Sequence, residues 1–354
     1  MQDLPHNPKA GSVAWTCPSN IALIKYWGQR ETQIPQNPSL SMTLEKARTH
    51  TQIRFNYDPG KKADVLIFRF EGKEAPAFET RIHAYLQGLE TRHPFLKHCS
   101  LEIDSENTFP HSSGIASSAS AMGALALCLV QMEDQITGQA LAEKFIQNAS
   151  FLARLGSGSA CRSLFPGFSL WGKTDVWEGS SDEYAIPIPG YHKNFRKLRD
   201  AILIVESGQK PISSSTGHGL MKSNPFARVR FEQAHANLTL LQSVLHEGDW
   251  EGFISVVEEE ALSLHAMMMT SKPGYILMQP ETLSILHEIR AYRKETGHRL
   301  CFTLDAGANV HLLYADADAK PVERFVSTEL IRFCEKKQVI WDSMGQGPYQ
   351  SEGS

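Results

Sequence analysis

A chain of 354 residues, 42% apolar and 21% charged, carries enough apolar material for a sizeable core and, at roughly 150 residues per unit, enough length for two domains. Its 35 Lys and Arg against 39 Asp and Glu leave a formal charge of −4, and the cations are scattered. That excludes the footprint of a nucleic-acid or membrane-surface partner and points to small-molecule chemistry. Cys17, Cys99, Cys128, Cys161, Cys301 and Cys334 form no C-x-x-C pair and have no His at metal-ligand spacing, so they read as reduced, mostly buried thiols. The opening MQDLPHNPKA lacks the apolar run of a signal peptide, and MGALALCLV at 122–130 is far too short to span a bilayer, so a cytoplasmic protein is expected.

In chain order, SNIALIKYWG at 19–28 reads as a buried strand that carries Lys25, Tyr26 and Trp27. TQIRFNY (51–57), VLIFRF (65–70) and CSLEID (99–104) read as further strands. HSSGIASSASAMG (111–123) is rich in Gly and Ser and runs into an apolar helix. ALAEKFIQNASFLARL (140–155) is helical in pattern, and GSGSACRS (156–163) is a second Gly/Ser-rich segment. AILIV (201–205) opens a second region with amphipathic helices at about 225–247, 249–268 and 281–296. RLCFTLD, the tight turn AGAN and VHLLYA then read as strand, turn and strand. VERFVSTELIRFCEKK after Pro321 reads as a last helix, and MGQGPYQSEGS as a frayed tail. Strands mixed with helices in both halves imply an α+β architecture, divided at 1–195 and 196–354, and no internal repeat is present.

Four segments carry candidate chemistry. In FPHSSGIASSASAMGALALCLV, small residues up to Ser118 lead into a helix, so loop and first-turn N–H groups can converge on an anion, aided by the helix dipole. A Ser-capped helix after a flexible loop fits the same letters. No G-x-x-x-x-G-K-[ST] is present, which excludes a Walker-type loop. GSGSACRS offers Ser157 and Ser159 as donors and Arg162 as a fork for carboxylate or phosphate, or else a loop beside an ordinary surface Arg. Lys25 either snorkels from a sheet edge or serves the chemistry. Asp305 either bonds its own turn or faces a ligand. Together, two anion-binding loops, a Lys and an Asp make a phosphoryl-transfer set of cradle, electrophilic stabiliser and base. His83, His218 and His265, on or near apolar faces, and the run Met267 to Met269 read as packing.

NIALIKYWG, FPHSSGIASSASA, GSGSACRSLFPGF and TLDAGAN, in this order and at these separations, resemble the four signature segments of the mevalonate diphosphate decarboxylase family. This is a branch of the GHMP kinase superfamily of small-molecule kinases. The likeness runs from about Trp15 to Cys334. The P-x-x-x-G-I-x-S-S-A loop is common to the superfamily and speaks only to ATP, whereas the other three segments point to the decarboxylase branch.

The resemblance implies an N-terminal domain like ribosomal protein S5 domain 2, a C-terminal ferredoxin-like domain, an active site in the cleft between them, and a homodimer. It implies ATP-dependent decarboxylation of mevalonate 5-diphosphate, with Mg²⁺ accompanying the nucleotide. Pro110, Ser112, Ser113, Gly114, Ser117, Ser118 and Ala119 would hold the ATP phosphates, with Ser118 nearest the Mg²⁺. Asn20, Tyr26, Trp27, Gln29, Ser157, Ser159 and Ser215 would hold the acidic substrate. Lys25, Arg162 and Asp305 would be catalytic, with Lys25 and Asp305 meeting across the cleft and Asp305 facing the tertiary hydroxyl.

Two positions depart from the family. Gln29-Arg30-Glu31 stands where Lys-Arg-Asp is usual, which removes a cation from the part of the site that grips the terminal diphosphate. Ala308 replaces the Pro of D-A-G-P-N, which is expected to loosen the turn after Asp305. These departures bear on the number of substrate phosphates more than on the reaction type; mevalonate monophosphate as substrate, a kinase that stops after phosphorylation, and a non-catalytic nucleotide-binding regulator are the alternative readings.

Overall fold

The computed structural model describes residues 7–31, 33–63, 65–109, 115–138, 144–208 and 212–351; Pro110, Ser112, Ser113 and Gly114 of the expected nucleotide loop lie outside them. The chain opens with two long strands, β1 (Lys9–Ala22) and β2 (Ser39–Tyr57), paired antiparallel with a register shift between Pro18 and Asn20. β3 (Leu66–Phe70) and β4 (Lys73–Glu74) precede helix α1 (Pro76–Leu89), which is followed by β5 (Cys99–Asn107). β3 and β5 are parallel, a pairing that needs a crossover, and α1 lies within it. Helices α2 (Ser117–Thr137) and α3 (Phe145–Gly156) and the short strands β6 (Phe168–Trp171) and β7 (Ala185–Pro187) complete the first half.

The second half runs β8 (Leu198–Leu203), α4 (Ser214–Leu220), α5 (Ala227–Glu247), α6 (Trp250–Met269), α7 (Pro280–Thr296), β9 (Leu300–Leu304), β10 (Val310–Ala315), α8 (Ala319–Thr328) and β11 (Val339–Ser343). Its sheet is antiparallel in the order β11-β8-β10-β9. The first sheet has the order β12-β1-β2-β5-β3-β4 with β6 and β7 branching from β2, where β12 is Tyr349–Gln350. The α+β architecture expected from the mixed pattern is the one found.

Packing explains where the cleft lies. One buried cluster surrounds α2, with Val13 and Ile53 of the first sheet and Leu125, Leu129 and Ala153 of the helices, and another lies between the second sheet and α7 and α8. A third cluster joins the halves, bringing Ile21, Leu40, Met42 and Phe168 together with Ile202, Leu238, Leu241 and Phe253. The two units are thus fused along an apolar seam that places the end of β1 against α6 and the end of β9. Asp342 ties the seam further: its carboxylate accepts the N–H groups of Glu45, Lys46 and Ala47, each at 2.8 Å. α2 lies unusually close to β1, because a Cβ on Gly123 would meet Cys17 Sγ at 2.5 Å.

Three local expectations are corrected. Lys25 is not in a strand, since β1 ends at Ala22 and the chain leaves the sheet there. The last helix starts before Pro321, at Ala319, and ends at Thr328; a 3-10 turn, Leu330–Phe333, follows. Proline fits the first turn of a helix, where its missing N–H has no partner to lose. Within the tail expected to fray, residues 349–351 are paired: β12 adds to β1, with Trp15 opposite Gln350, and Ser351 N–H reaches Ala14 O at 3.0 Å. All six cysteines are free and buried. Among the described residues, no helix is long and apolar enough to cross a membrane.

Candidate active site

Beyond β1 the chain turns under Leu40, whose carbonyl accepts Leu23 and Ile24 N–H at 2.8 and 3.1 Å, and Lys25 emerges with its backbone held on both sides. Its N–H donates to Glu260 Oε2 at 2.8 Å and its carbonyl accepts Asn37 Nδ2 at 3.0 Å. Glu260, on α6 and fully buried, also takes Arg230 and Asn237 on α5. A carboxylate of the second half therefore positions a lysine of the first. Lys25 Nζ donates to Asp305 Oδ1 at 3.0 Å, with the lysine side chain 1% and the aspartate 27% exposed. Burial pushes the ammonium pKa below the ordinary lysine range, and the carboxylates of Asp305 and Glu260 oppose that shift.

Asp305 follows β9 directly, and its turn is fastened from three sides. His265 of α6 contacts the Asp305 carbonyl through Nε2 at 3.1 Å, Thr282 of α7 donates to Ala308 O at 2.7 Å, and Asn309 Oδ1 accepts Val205 and Glu206 N–H at 2.7 and 2.9 Å. The turn expected to be loosened by Ala308 is held by hydrogen bonds rather than by a proline ring. His265, read as a core residue, sets the carbonyl of the residue that faces the cleft.

The opposite wall is built from two helix ends. α2 begins after Ala116, whose backbone is left-handed at φ 44°. Ala116, not a serine, is the N-cap residue, and among the described residues no side chain caps the helix. Ser118 Oγ lies 3.4 Å from Ser157 Oγ at the end of α3. A 3-10 segment, Gly158–Leu164, follows and carries Arg162 inward at 2% exposure. The surface-Arg alternative is thereby removed. The Arg162 guanidinium bonds Ser39 Oγ and Asn20 Oδ1, and Asn20 Nδ2 donates to Ser163 Oγ at 2.8 Å and Ser159 O at 3.1 Å. Tyr26 O–H faces Gln29 Oε1 at 3.2 Å and Gln33 Oε1 at 3.3 Å. His218 of α4 packs its ring on Tyr26 and Trp27, with centroids 4.2 and 4.7 Å apart, and accepts Gly28 N–H through Nδ1 at 2.9 Å. Burial lowers its pKa to about 4, so the imidazole is neutral.

These groups line one cleft of about 650 Å³. Of the residues singled out in the sequence, it is lined by Asn20, Lys25, Tyr26, Trp27, Ser117, Ser118, Ser157, Ser159, Arg162, Ser215 and Asp305. Gln29 stands behind Tyr26, and Ala119 is buried within α2 with no exposed surface. Sequence reasoning missed Gln33 and Arg81, which also line the cleft, and Glu260, Ser39 and His265, which act behind it. No local pattern marks these residues: Ser39 and Gln33 meet the Arg162 segment through folding of the first half, His265 meets Asp305 through folding of the second, and Glu260 meets Lys25 only through apposition of the two. Among the described residues no group of three or more His, Cys, Asp or Glu is arranged to hold a metal ion.

Comparison with known proteins agrees with this geometry. Residues 17–185 match the family described as diphosphomevalonate decarboxylase-like N-terminal domain, and residues 201–350 match the mevalonate 5-diphosphate decarboxylase C-terminal domain. The chain is 30% identical to the solved mevalonate diphosphate decarboxylase of Legionella pneumophila, with a TM-score of 0.77 over 93% of this chain and 100% of that one. A solved complex described as holding MVAPP, AMPPCP and magnesium is 27% identical, with a TM-score of 0.81 over 98% and 100%. Among curated proteins, the diphosphomevalonate decarboxylase of Gibberella zeae is 28% identical over 88% of this chain and 83% of its own, and the phosphomevalonate decarboxylase of Haloferax volcanii is 28% identical over 90% and 91%.

Proposed function

The chain belongs to the mevalonate diphosphate decarboxylase family, and from that premise we propose how its cleft works. The reaction is the ATP-dependent decarboxylation of mevalonate 5-diphosphate to isopentenyl diphosphate, with ADP, phosphate and CO2 as the other products. A tertiary hydroxyl leaves poorly, so it is first phosphorylated; departure of that phosphate creates an electron deficiency, which the neighbouring carboxylate fills by losing CO2.

In this reading Asp305 faces the tertiary hydroxyl. A carboxylate paired with an ammonium is a weak base, so Asp305 orients the hydroxyl and accepts its proton as the bond to phosphorus forms. Lys25, desolvated and held from behind by Glu260, offsets charge on the transferring group, where low dielectric makes a fixed cation count for more. Arg162 and Asn20, with Ser157, Ser159, Ser215 and Tyr26 around them, hold the acidic substrate so that the hydroxyl meets the phosphoryl group in line. The observation that carries the reading is the 3.0 Å contact of Lys25 and Asp305 from opposite halves of the molecule.

ATP fits the wall formed by Ser117, Ser118 and the uncapped start of α2, since first-turn N–H groups suit phosphate. Mg²⁺ would ride on the nucleotide phosphates with Ser118 beside it, consistent with the lack of an acidic cage among the described residues. It would screen charge between phosphates. We place the protein in the cytoplasm as a homodimer; the exposed apolar side chains Val229 and Leu240 on α5 and Phe226 just before it support a partner surface there.

The test is to incubate pure protein with MgATP and either mevalonate 5-diphosphate or mevalonate 5-monophosphate and to record ADP and CO2 separately. One CO2 per ADP with the diphosphate is expected. ADP without CO2 would make the protein a kinase, and a tenfold or greater preference for the monophosphate in kcat/KM would overturn the substrate while sparing the reaction type.

A further inference from the structure

At the Tyr26 side of the cleft, an acceptor oxygen comes from the protein itself. Gln33 has a left-handed backbone, φ 55°, a conformation that residues with a Cβ seldom adopt. Three contacts hold it there. Arg154 Nη1 donates to its backbone carbonyl at 3.2 Å, its side-chain Oε1 accepts Gly158 N–H at 3.1 Å, and the same oxygen lies 3.3 Å from Tyr26 O–H, whose single proton also faces Gln29 Oε1 at 3.2 Å. A backbone N–H can only donate, so the Gln33 atom facing Gly158 is the amide oxygen and not the nitrogen. The approach requires glycine at 158: a Cβ there would meet Gln33 Oε1 at 2.9 Å. Gly158 opens the 3-10 segment between Ser157 and Ser159 that carries Arg162. The oxygen therefore sits where two donors converge, in a cleft lined also by Lys25, Arg81 and Arg162. A neutral amide is a weaker acceptor for such donors than an anionic oxygen.

We propose that Gln33 sets substrate affinity as an internal stand-in for an anionic oxygen of the substrate: its Oε1 occupies the Gly158 N–H, shares the Tyr26 O–H with Gln29, and is displaced when a phosphate or carboxylate oxygen seats. The inference rests on the decarboxylase reading for the identity of the substrate. Displacement releases the side-chain contacts of the left-handed residue and leaves the Arg154 contact to its backbone carbonyl in place.

Two substitutions remove the competing oxygen. Gln33→Ala truncates it. Gln33→Asn tolerates a left-handed backbone and is one methylene too short to reach Gly158. If the displaced oxygen stands for a phosphate's, titration calorimetry should show both variants binding inorganic pyrophosphate about three- to tenfold more tightly than wild type, the range of one net hydrogen bond. If it stands for the carboxylate's, mevalonate, which has no phosphate, should tighten instead. Gln33→Glu should do the opposite and weaken the same ligand, since a carboxylate holds the donors more firmly and repels anions. Unchanged or weaker binding of both ligands in folded Ala and Asn variants overturns the proposal and makes Gln33 a wall residue or a substrate ligand. Calorimetry needs no turnover, so absence of CO2 from the wild type with MgATP and mevalonate 5-diphosphate would overturn the decarboxylase reading separately.

Discussion

Two ion pairs stand a few residues apart behind and within the cleft, and they differ in closure. Arg230 and Glu260 are 3% and 0% exposed, and the remaining capacity of the carboxylate is used by Asn237 and the backbone of Lys25. Lys25 and Asp305 form the second pair, in which the lysine is sealed and the aspartate is 27% exposed to the cleft. The first pair is enclosed by protein and acts as a strut that carries position from α5 and α6 to the lysine. The second leaves its carboxylate accessible to a substrate. Like chemistry thus serves structure or reaction according to what surrounds it, because a desolvated charge tolerates no missing partner whereas a half-exposed one can exchange partners.

The sharpest way to break this contrast is at the open pair. Asp305→Asn keeps shape and removes the proton acceptor, so turnover should fall by about 10²- to 10⁴-fold in a CO2-release assay; it also takes the counter-charge from the sealed Lys25, so the melting temperature should fall as well. Turnover like wild type would leave the open pair without a chemical role. At the closed pair the main loss should be one of stability. Arg230→Met strands the Glu260 charge in the interior and should cost about 3–5 kcal/mol in denaturant unfolding; a loss below about 1 kcal/mol would mean that the strut carries no strain.

His218 also lines the cleft, and its neutral imidazole joins α4 to Gly28. Its unfolded pKa is 6.5 and its folded value about 4. In that interval the unfolded chain binds more protons, so stability is fully present above about pH 6.5 and is lost as pH falls toward 4. The wild type should lose about 3 kcal/mol more than His218→Asn between pH 7 and pH 4, read from unfolding curves at each pH; parallel pH profiles would remove His218 from the seam. The smallest effect belongs to the nucleotide wall: Ser118→Ala should weaken binding of a non-hydrolysable ATP analogue by about fivefold, close to 1 kcal/mol. Equal affinity in calorimetry would leave Ser118 a bystander beside Ser157.

Several parts of this arrangement were legible in the residues. The helical runs at about 225–247, 249–268 and 281–296 correspond to α5, α6 and α7, since amphipathic periodicity over that length admits one solution. Asp305 was placed at a strand end because LDAGAN carries its own turn. Other parts were not legible. The tail beginning at Met344 looked disordered because its letters hold no strand pattern, yet β12 is stabilised by an edge of β1 more than three hundred residues away. Gln33 was passed over because its left-handed backbone is enforced by Arg154, Gly158 and Tyr26 rather than by Gly or Asn at that position. Of the run read as packing, Met267 and Met268 lie in the core whereas Met269 is exposed, and His265 reaches the Asp305 carbonyl, a contact that no periodicity contains.

The sequence alone determined what short-range chemistry can encode: the α+β class, the two donor-rich segments at 111–123 and 156–163, and the lysine and aspartate fit for phosphoryl transfer. Tertiary structure alone decided that Lys25 and Asp305 lie 3.0 Å apart, that Glu260 holds the lysine backbone, and that Arg162 points inward with Asn20 and Ser39 as partners. These are consequences of burying Ile21, Leu40 and Phe168 against Ile202, Leu238 and Phe253. Burial is non-directional and sums over distant apolar surface, so the placement it enforces cannot be read from any one stretch of residues.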